Sequence, residues 1–177
     1  MTTQVTFRQA DDRDLALLVG LFDGAADWMA RNGIDQWKPG GKSAEHFRGR
    51  IASGEVWLAL DRGRAVGAYE LWWEDEQAWG AQPPVAGYVH RLMTDRASAP
   101  AGTGRALLAH AEERIAAGGR AVARLDCVSS NPRLRTYYEA AGYRVVGEEP
   151  GKVAADGTLY GVTLMERSLV ERSVTAP

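Results

Sequence analysis

Apolar residues along this chain recur in two rhythms, and the changes of rhythm divide it into elements. Val5-Thr6-Phe7-Arg8 alternates apolar and polar, the period of a short strand. Leu15, Leu18, Leu21, Phe22, Ala25, Trp28 and Met29 then recur at helical spacing, so the pattern predicts an amphipathic helix capped by Asp11 or Asp12 and stopped near Asn32-Gly33. Gly20 and Gly24 fall inside it at about 1 kcal/mol each against Ala, which predicts a bend or a close approach there. Ser43 caps a shorter helix to about Ser53, with Phe47 and Ile51 inward. Val56–Leu60 and Ala65–Glu74 form a hairpin across the turn at Asp61-Arg62-Gly63-Arg64, and Asp75 to Pro84 reads as a loop.

The next stretch, Tyr88 to Tyr143, organises the rest. It holds a strand to Thr94, a turn Ala99-Pro100-Ala101-Gly102-Thr103-Gly104, and a helix Arg105–Ala117 with Leu107, Leu108, Ala111 and Ile115 on one side. A strand Val122–Val128 follows, then a helix opening at Asn131-Pro132 and closing at Gly142. Two strand-to-helix units in succession put two helix N-termini at one sheet edge, where α/β proteins hold anionic ligands. Tyr143–Val146 and Leu159–Met165 pair across Asp156-Gly157, and Val170–Pro177 reads as a frayed tail. The fold class is therefore mixed α/β with only its middle βαβ-like, in one domain spanning residues 1–169.

Composition narrows the function classes. With 177 residues, 45% of them hydrophobic and 25% charged, the chain can build one sizeable core. A net charge of −2 offers no general basic field, so neither nucleic acid nor an anionic membrane is an expected partner. No apolar run approaches the roughly 18 residues of a membrane span, and Met1 to Gln9 lacks a signal-peptide layout, so a cytoplasmic location is expected. Cys127 is the single cysteine, which precludes an internal disulfide, leaves too few thiolates for zinc, and suits strand packing.

The glycine loop and the Asn131 helix together resemble the GNAT superfamily of acyl-CoA-dependent N-acyltransferases. Its Gln/Arg-x-x-Gly-x-Gly/Ala loop corresponds to Ala99 through Gly104, and its second motif to Asn131, Leu134, Tyr138, Gly142 and Tyr143 with spacing intact. Ala99 departs from that pattern, Pro100 removes an N–H, and Arg96 or Arg105 can supply the missing charge. The resemblance implies a mostly antiparallel central sheet flanked by helices, with the fourth and fifth strands splayed, and acetyl-CoA as co-substrate with no metal. Ala101, Gly102, Thr103, Gly104 and Arg105 would hold its pyrophosphate, while Leu92, Met93 and Thr94 would pair with the pantetheine arm. Asn131 would be a further contact, and the Leu92 N–H would stabilise the oxyanion.

By the same resemblance, Tyr138 is the acid for the departing thiolate, with Tyr137 the fallback. The base is His90, expected on the same face as Leu92, or a water chain. Asp126 would orient the amine or a water, or simply pair with an arginine. Five of the six tryptophans lie in segments that wall the family's acceptor pocket. Trp28, Gln36, Trp37 and Trp72 are the expected lining, joined by Trp73 and Trp79, with Asp35 and Glu70 to attract a cation. His46 and His110 read as helix-surface residues. The expected activity is acetyl transfer to a small-molecule primary amine; a non-catalytic acyl-CoA sensor is the alternative, and a homodimer is left open.

Overall fold

The structure, a computed structural model, describes residues 4–154 and 156–170. Its elements are β1 (Thr6–Gln9), a 3₁₀ turn (Asp12–Asp14), α1 (Leu15–Arg31), α2 (Ala44–Ser53), β2 (Glu55–Asp61), β3 (Arg64–Trp72), α3 (Glu76–Trp79), β4 (Ala86–Thr94), α4 (Thr103–Ala117), β5 (Val122–Val128), α5 (Pro132–Ala140), β6 (Arg144–Val153) and β7 (Leu159–Ser168). One seven-stranded sheet runs β1-β2-β3-β4-β5-β7-β6, and β4–β5 is its parallel pair among antiparallel neighbours. Seven of the eight expected tail residues, 171–177, lie outside the described residues.

Local chemistry sets most boundaries. Asp11 accepts the Arg13 N–H at 2.9 Å, while the Asp14 carboxylate accepts the Asp11 N–H, a reciprocal cap that starts the run into α1. The β2–β3 hairpin turns through Arg62 and Gly63, both at positive φ, the geometry that matches strand twist. α1 shows no close packing at its glycines: a Cβ on Gly20 or Gly24 would meet nothing within 4 Å. α3 is a single turn capped by Asp75, too short for any periodicity to announce. β6 continues past Val146 to Val153 despite Pro150, which an edge strand tolerates where the register shifts between Glu149 and Lys152.

The sheet carries a core on each face. Tyr69, Leu71, Val89, Leu125 and Met165 pack with Leu107, Leu108 and Ile115 of α4 on one face. Leu58, Ala68 and Met93 pack with Leu18 and Phe22 of α1 and Phe47 of α2 on the other. Leu18, Phe47, Leu58 and Leu107 are fully buried, worth roughly 1.5–3 kcal/mol each. Gly87 lets α4 lie close, because a Cβ there would sit 2.4 Å from Cγ1 of Ile115.

Two irregularities in β4 position the site. β4 and β5 pair through only Ala86↔Val122, Gly87↔Ala123 and Tyr88↔Arg124; beyond these, β4 stays with β3 and β5 with β7, so the expected splay is present. A bulge then interrupts β4, since Glu70 pairs with His90 and Ala68 with Met93, leaving Arg91 and Leu92 together opposite Tyr69. Arg91 takes φ +44°, a conformation costing a non-glycine residue roughly 1–3 kcal/mol. The extra residue reverses which face each later side chain occupies. His90 and Leu92 therefore do not share a face: Met93 joins the α1 side with His90, and Leu92 packs on the α4 side.

Candidate functional site

The loop entering α4 leaves backbone donors unpaired. Gly102, its N-cap, sits at φ +86°, a region glycine adopts without cost. The N–H groups of Ala101, Gly102, Gly104 and Arg105 donate to no acceptor among the described residues, so four donors are free at the positive end of the α4 dipole. Thr103 departs from the expectation that it joins them. Its N–H and its hydroxyl both donate to the Pro100 carbonyl, at 3.2 and 2.7 Å, and the side chain is buried. A Cβ on Gly104 would lie 3.0 Å from the Tyr137 hydroxyl, which places that phenol beside the loop.

Tyr138 lies on the same side of the sheet, packed against the α4-side core and edge-on to Tyr137 and Tyr143. Its hydroxyl makes no hydrogen bond among the described residues. Burial, reinforced by Tyr137, Cys127 and Asp126, raises its pKa above the ordinary tyrosine value, so the phenol keeps its proton at neutral pH. Asn131 is the N-cap residue of α5 yet makes no side-chain cap, which leaves its amide available. Cys127 is core packing, its thiol pushed up to about 11 chiefly by burial.

On the opposite face stands His90. Its ring stacks on Trp72 with centroids 3.7 Å apart, and its Nε2 is 2.9 Å from Oδ2 of Asp75. Burial opposes ionisation of Asp75, but the His90 hydrogen bond and charge outweigh it, so the carboxyl titrates below its ordinary range. The other Asp75 oxygen accepts the Ala78 N–H as the α3 cap, fixing the carboxylate that fixes the imidazole. Asp126 on β5 faces them: ligand atoms of Asp75, His90 and Asp126 all lie within 4.8 Å of one another. The partner of Asp126 is Lys152, at 2.9 Å, rather than an arginine.

Glu70, opposite His90 on β3, is fully buried and already engaged. Its Oε1 accepts from Trp72 Nε1 and Arg91 Nη1, both at 2.9 Å, and its Oε2 lies 2.9 Å from His46 Nε2. Burial resists ionisation, yet the His46 hydrogen bond and the Arg91 charge hold the carboxyl down to about 2. Glu70 is thus not available to attract a cation, and exposed Asp35 is paired with Lys38. His46 and His110 are not surface residues in the expected sense. His110 stacks on Phe7 at 4.0 Å and bonds the Tyr69 hydroxyl at 2.8 Å.

The structure gathers only part of the expected acceptor lining. Trp72 and Asp126 meet His90. Trp37 turns into the α1–α2 core and stacks on Phe22 at 5.1 Å, while Gln36 makes no side-chain hydrogen bond among the described residues. Trp28 lies under the Arg96 guanidinium at 4.0 Å, in a separate cleft of about 340 Å³ between α1 and the segment after β4. Trp73 packs beside Gly118 and Arg120, and Trp79 beside Tyr88 and Arg124. Asp75 and Lys152 were not legible as site residues, because a loop acid and an edge-strand lysine carry no periodic or motif signal.

Known proteins share this fold. A family model for the acetyltransferase (GNAT) domain matches residues 25–157. An uncharacterised N-acetyltransferase of Bacillus subtilis (strain 168), YesJ, is 28% identical over 145 residues, covering 77% of this chain and 79% of that protein. A GNAT-family acetyltransferase from Listeria monocytogenes 4b F2365 superposes with a TM-score of 0.75 at 24% identity, over 93% of this chain and 95% of that one. The putative acetyltransferase yncA of Salmonella typhimurium, solved with acetyl-CoA, does so with a TM-score of 0.68 at 18% identity, over 98% of each chain. With the domain match spanning most of its length, and the splayed strands and glycine loop in the order that domain requires, the chain belongs to the GNAT acetyltransferase family.

Proposed function

We propose that this protein transfers an acetyl group from acetyl-CoA to a primary amine by direct attack in a ternary complex. The observation that carries the reading is the opening between β4 and β5, with His90 and Asp75 on one face and Tyr138 on the other. Acetyl-CoA supplies the acyl group already activated as a thioester. The residues present fit it: the N–H groups of Ala101, Gly102, Gly104 and Arg105 would hold the pyrophosphate, and the β4 edge through Leu92, Met93 and Thr94 lacks a β5 partner and would take the pantetheine amides. The Asn131 amide adds a donor at the second helix start.

His90, oriented by Asp75, takes the proton that the attacking ammonium must lose, and Asp75 stabilises the imidazolium so formed. The Leu92 backbone, without a register partner at the bulge, supports the developing oxyanion. Tyr138, its proton retained, protects the leaving thiolate by protonating it. A second reading, a non-catalytic acyl-CoA-binding module, draws on Ala99 and Pro100, which remove a charge and an N–H from the loop. An amine panel with acetyl-CoA and thiol detection separates the two. Free CoA appearing only when an amine is present supports transfer; tight acetyl-CoA binding with no thiol release from any amine supports the sensor.

A further inference from the structure

The face of the sheet that carries His90 has settled its carboxylates and left cations over. Glu70 is held by His46, Trp72 and Arg91, Asp75 by His90 and the α3 cap, and Asp126 by Lys152. Two half-buried cations on the same face enter no ion pair among the described residues: Lys42, just before α2, and Arg50 within it. The Arg50 guanidinium lies 3.8 Å above the Trp72 ring, whose opposite neighbour in the stack is His90. Lys42 feels Arg91, Glu70, Lys152 and Arg50 together; burial first, then the Arg91 charge, pulls it below the ordinary lysine value. Half-buried cations gathered on one face gain from an anion that joins them.

Resting on the transferase reading, we infer that the acceptor is an amine carrying its own anionic group, of the α-amino acid or aminophosphonate type, with the anion bound by Lys42 and Arg50 and the amine presented to His90. Trp72 links the two ends: one partner of its ring is the guanidinium that takes the anion, the other is the imidazole that takes the proton. Arginine suits the first task because its planar fork matches carboxylate and phosphonate oxygens.

The test uses matched acceptors with acetyl-CoA and thiol detection: a series of α-amino acids, their carboxamides and the corresponding decarboxylated amines. The free acid should exceed both neutral counterparts in kcat/KM by at least about tenfold, the factor carried by one charge-assisted hydrogen bond. In Lys42→Met and in Arg50→Met that ratio should fall about tenfold, and Arg50→Lys should retain part of it. Denaturant unfolding of each variant checks that it is folded. Turnover of the neutral amines at or above the acids, or an acid-to-amide ratio unchanged in both folded methionine variants, overturns the inference and leaves the transferase reading standing. No thiol release from any acceptor overturns the transferase reading and this inference with it.

Discussion

Replacing Glu70 tests whether the acceptor face is held together by one buried carboxylate. Glu70→Ala removes the acceptor for Trp72 Nε1 and Arg91 Nη1 and the partner of His46, and it strands an arginine whose side chain is only 17% exposed. Breaking a buried ion pair from one side costs about 3–5 kcal/mol. For a chain of this size that is roughly 6–20 °C in melting temperature. Glu70→Gln should cost less than Glu70→Ala. Its oxygen can still accept from Trp72 and Arg91, and its amide can donate to a His46 tautomer that bears its proton on Nδ1.

The parent also differs from both variants in its response to pH. The Glu70 carboxyl falls from 4.5 to about 2 on folding, so its contribution is complete above 4.5 and is lost as pH drops through about 2. At roughly 1.36 kcal/mol per pH unit this amounts to about 3 kcal/mol, a component that Glu70→Gln lacks at every pH. Urea unfolding followed by circular dichroism should therefore show the gap between the parent and Glu70→Gln narrowing between about pH 5 and about pH 2.5. A loss below about 1 kcal/mol in Glu70→Ala, or a gap that does not change with pH, would refute the argument.

Other substitutions address the chemistry. Tyr138→Phe should bind acetyl-CoA within a few-fold of the parent and lose at least about tenfold in kcat, whereas full activity there with a large loss in Tyr137→Phe would move the acid one residue along α5. Gly102→Val forces a β-branched residue to φ +86°, and Gly104→Val drives a Cβ to 3.0 Å from the Tyr137 hydroxyl. Each should weaken CoA binding at least about tenfold by calorimetry, and unchanged affinity in a folded variant would remove the anion-site assignment. His90→Gln should abolish the rising limb of kcat/KM with pH, and Asp75→Asn should lower kcat/KM by about 10²-fold or more. The same limb in His90→Gln would assign proton removal to water.

What the sequence made legible follows from how local each signal is. Glycines at Gly33, Gly102 and Gly142 all occupy positive φ, and a residue that marks a turn by its own backbone freedom can be read without its neighbours. The helices over Leu15–Arg31 and Thr103–Ala117 were legible because each buries one stripe. Leu92 was misplaced for the opposite reason. Strand parity assumes one residue per step, and nothing in His90-Arg91-Leu92 announces that Arg91 is extra until Tyr69 lies opposite both it and Leu92. Glu70 looked like a free acid because its three partners come from α2, its own strand and β4, and Trp37 looked like pocket lining because its stack on Phe22 is a tertiary contact.

Three residue pairs join β4 to β5, so the sheet is two leaves bound on a short spine, β1 to β4 on one side and β5 to β7 on the other. On the proposed reading, an extended co-substrate lying between the leaves would replace ladder rungs that the polypeptide itself omits. Its binding is then linked to cohesion of the whole sheet: at a hundredfold excess over Kd, a ligand specific for the folded form adds about 2.7 kcal/mol to the work of unfolding. On that reading, protease digestion of the purified protein should slow measurably when saturating acetyl-CoA is present.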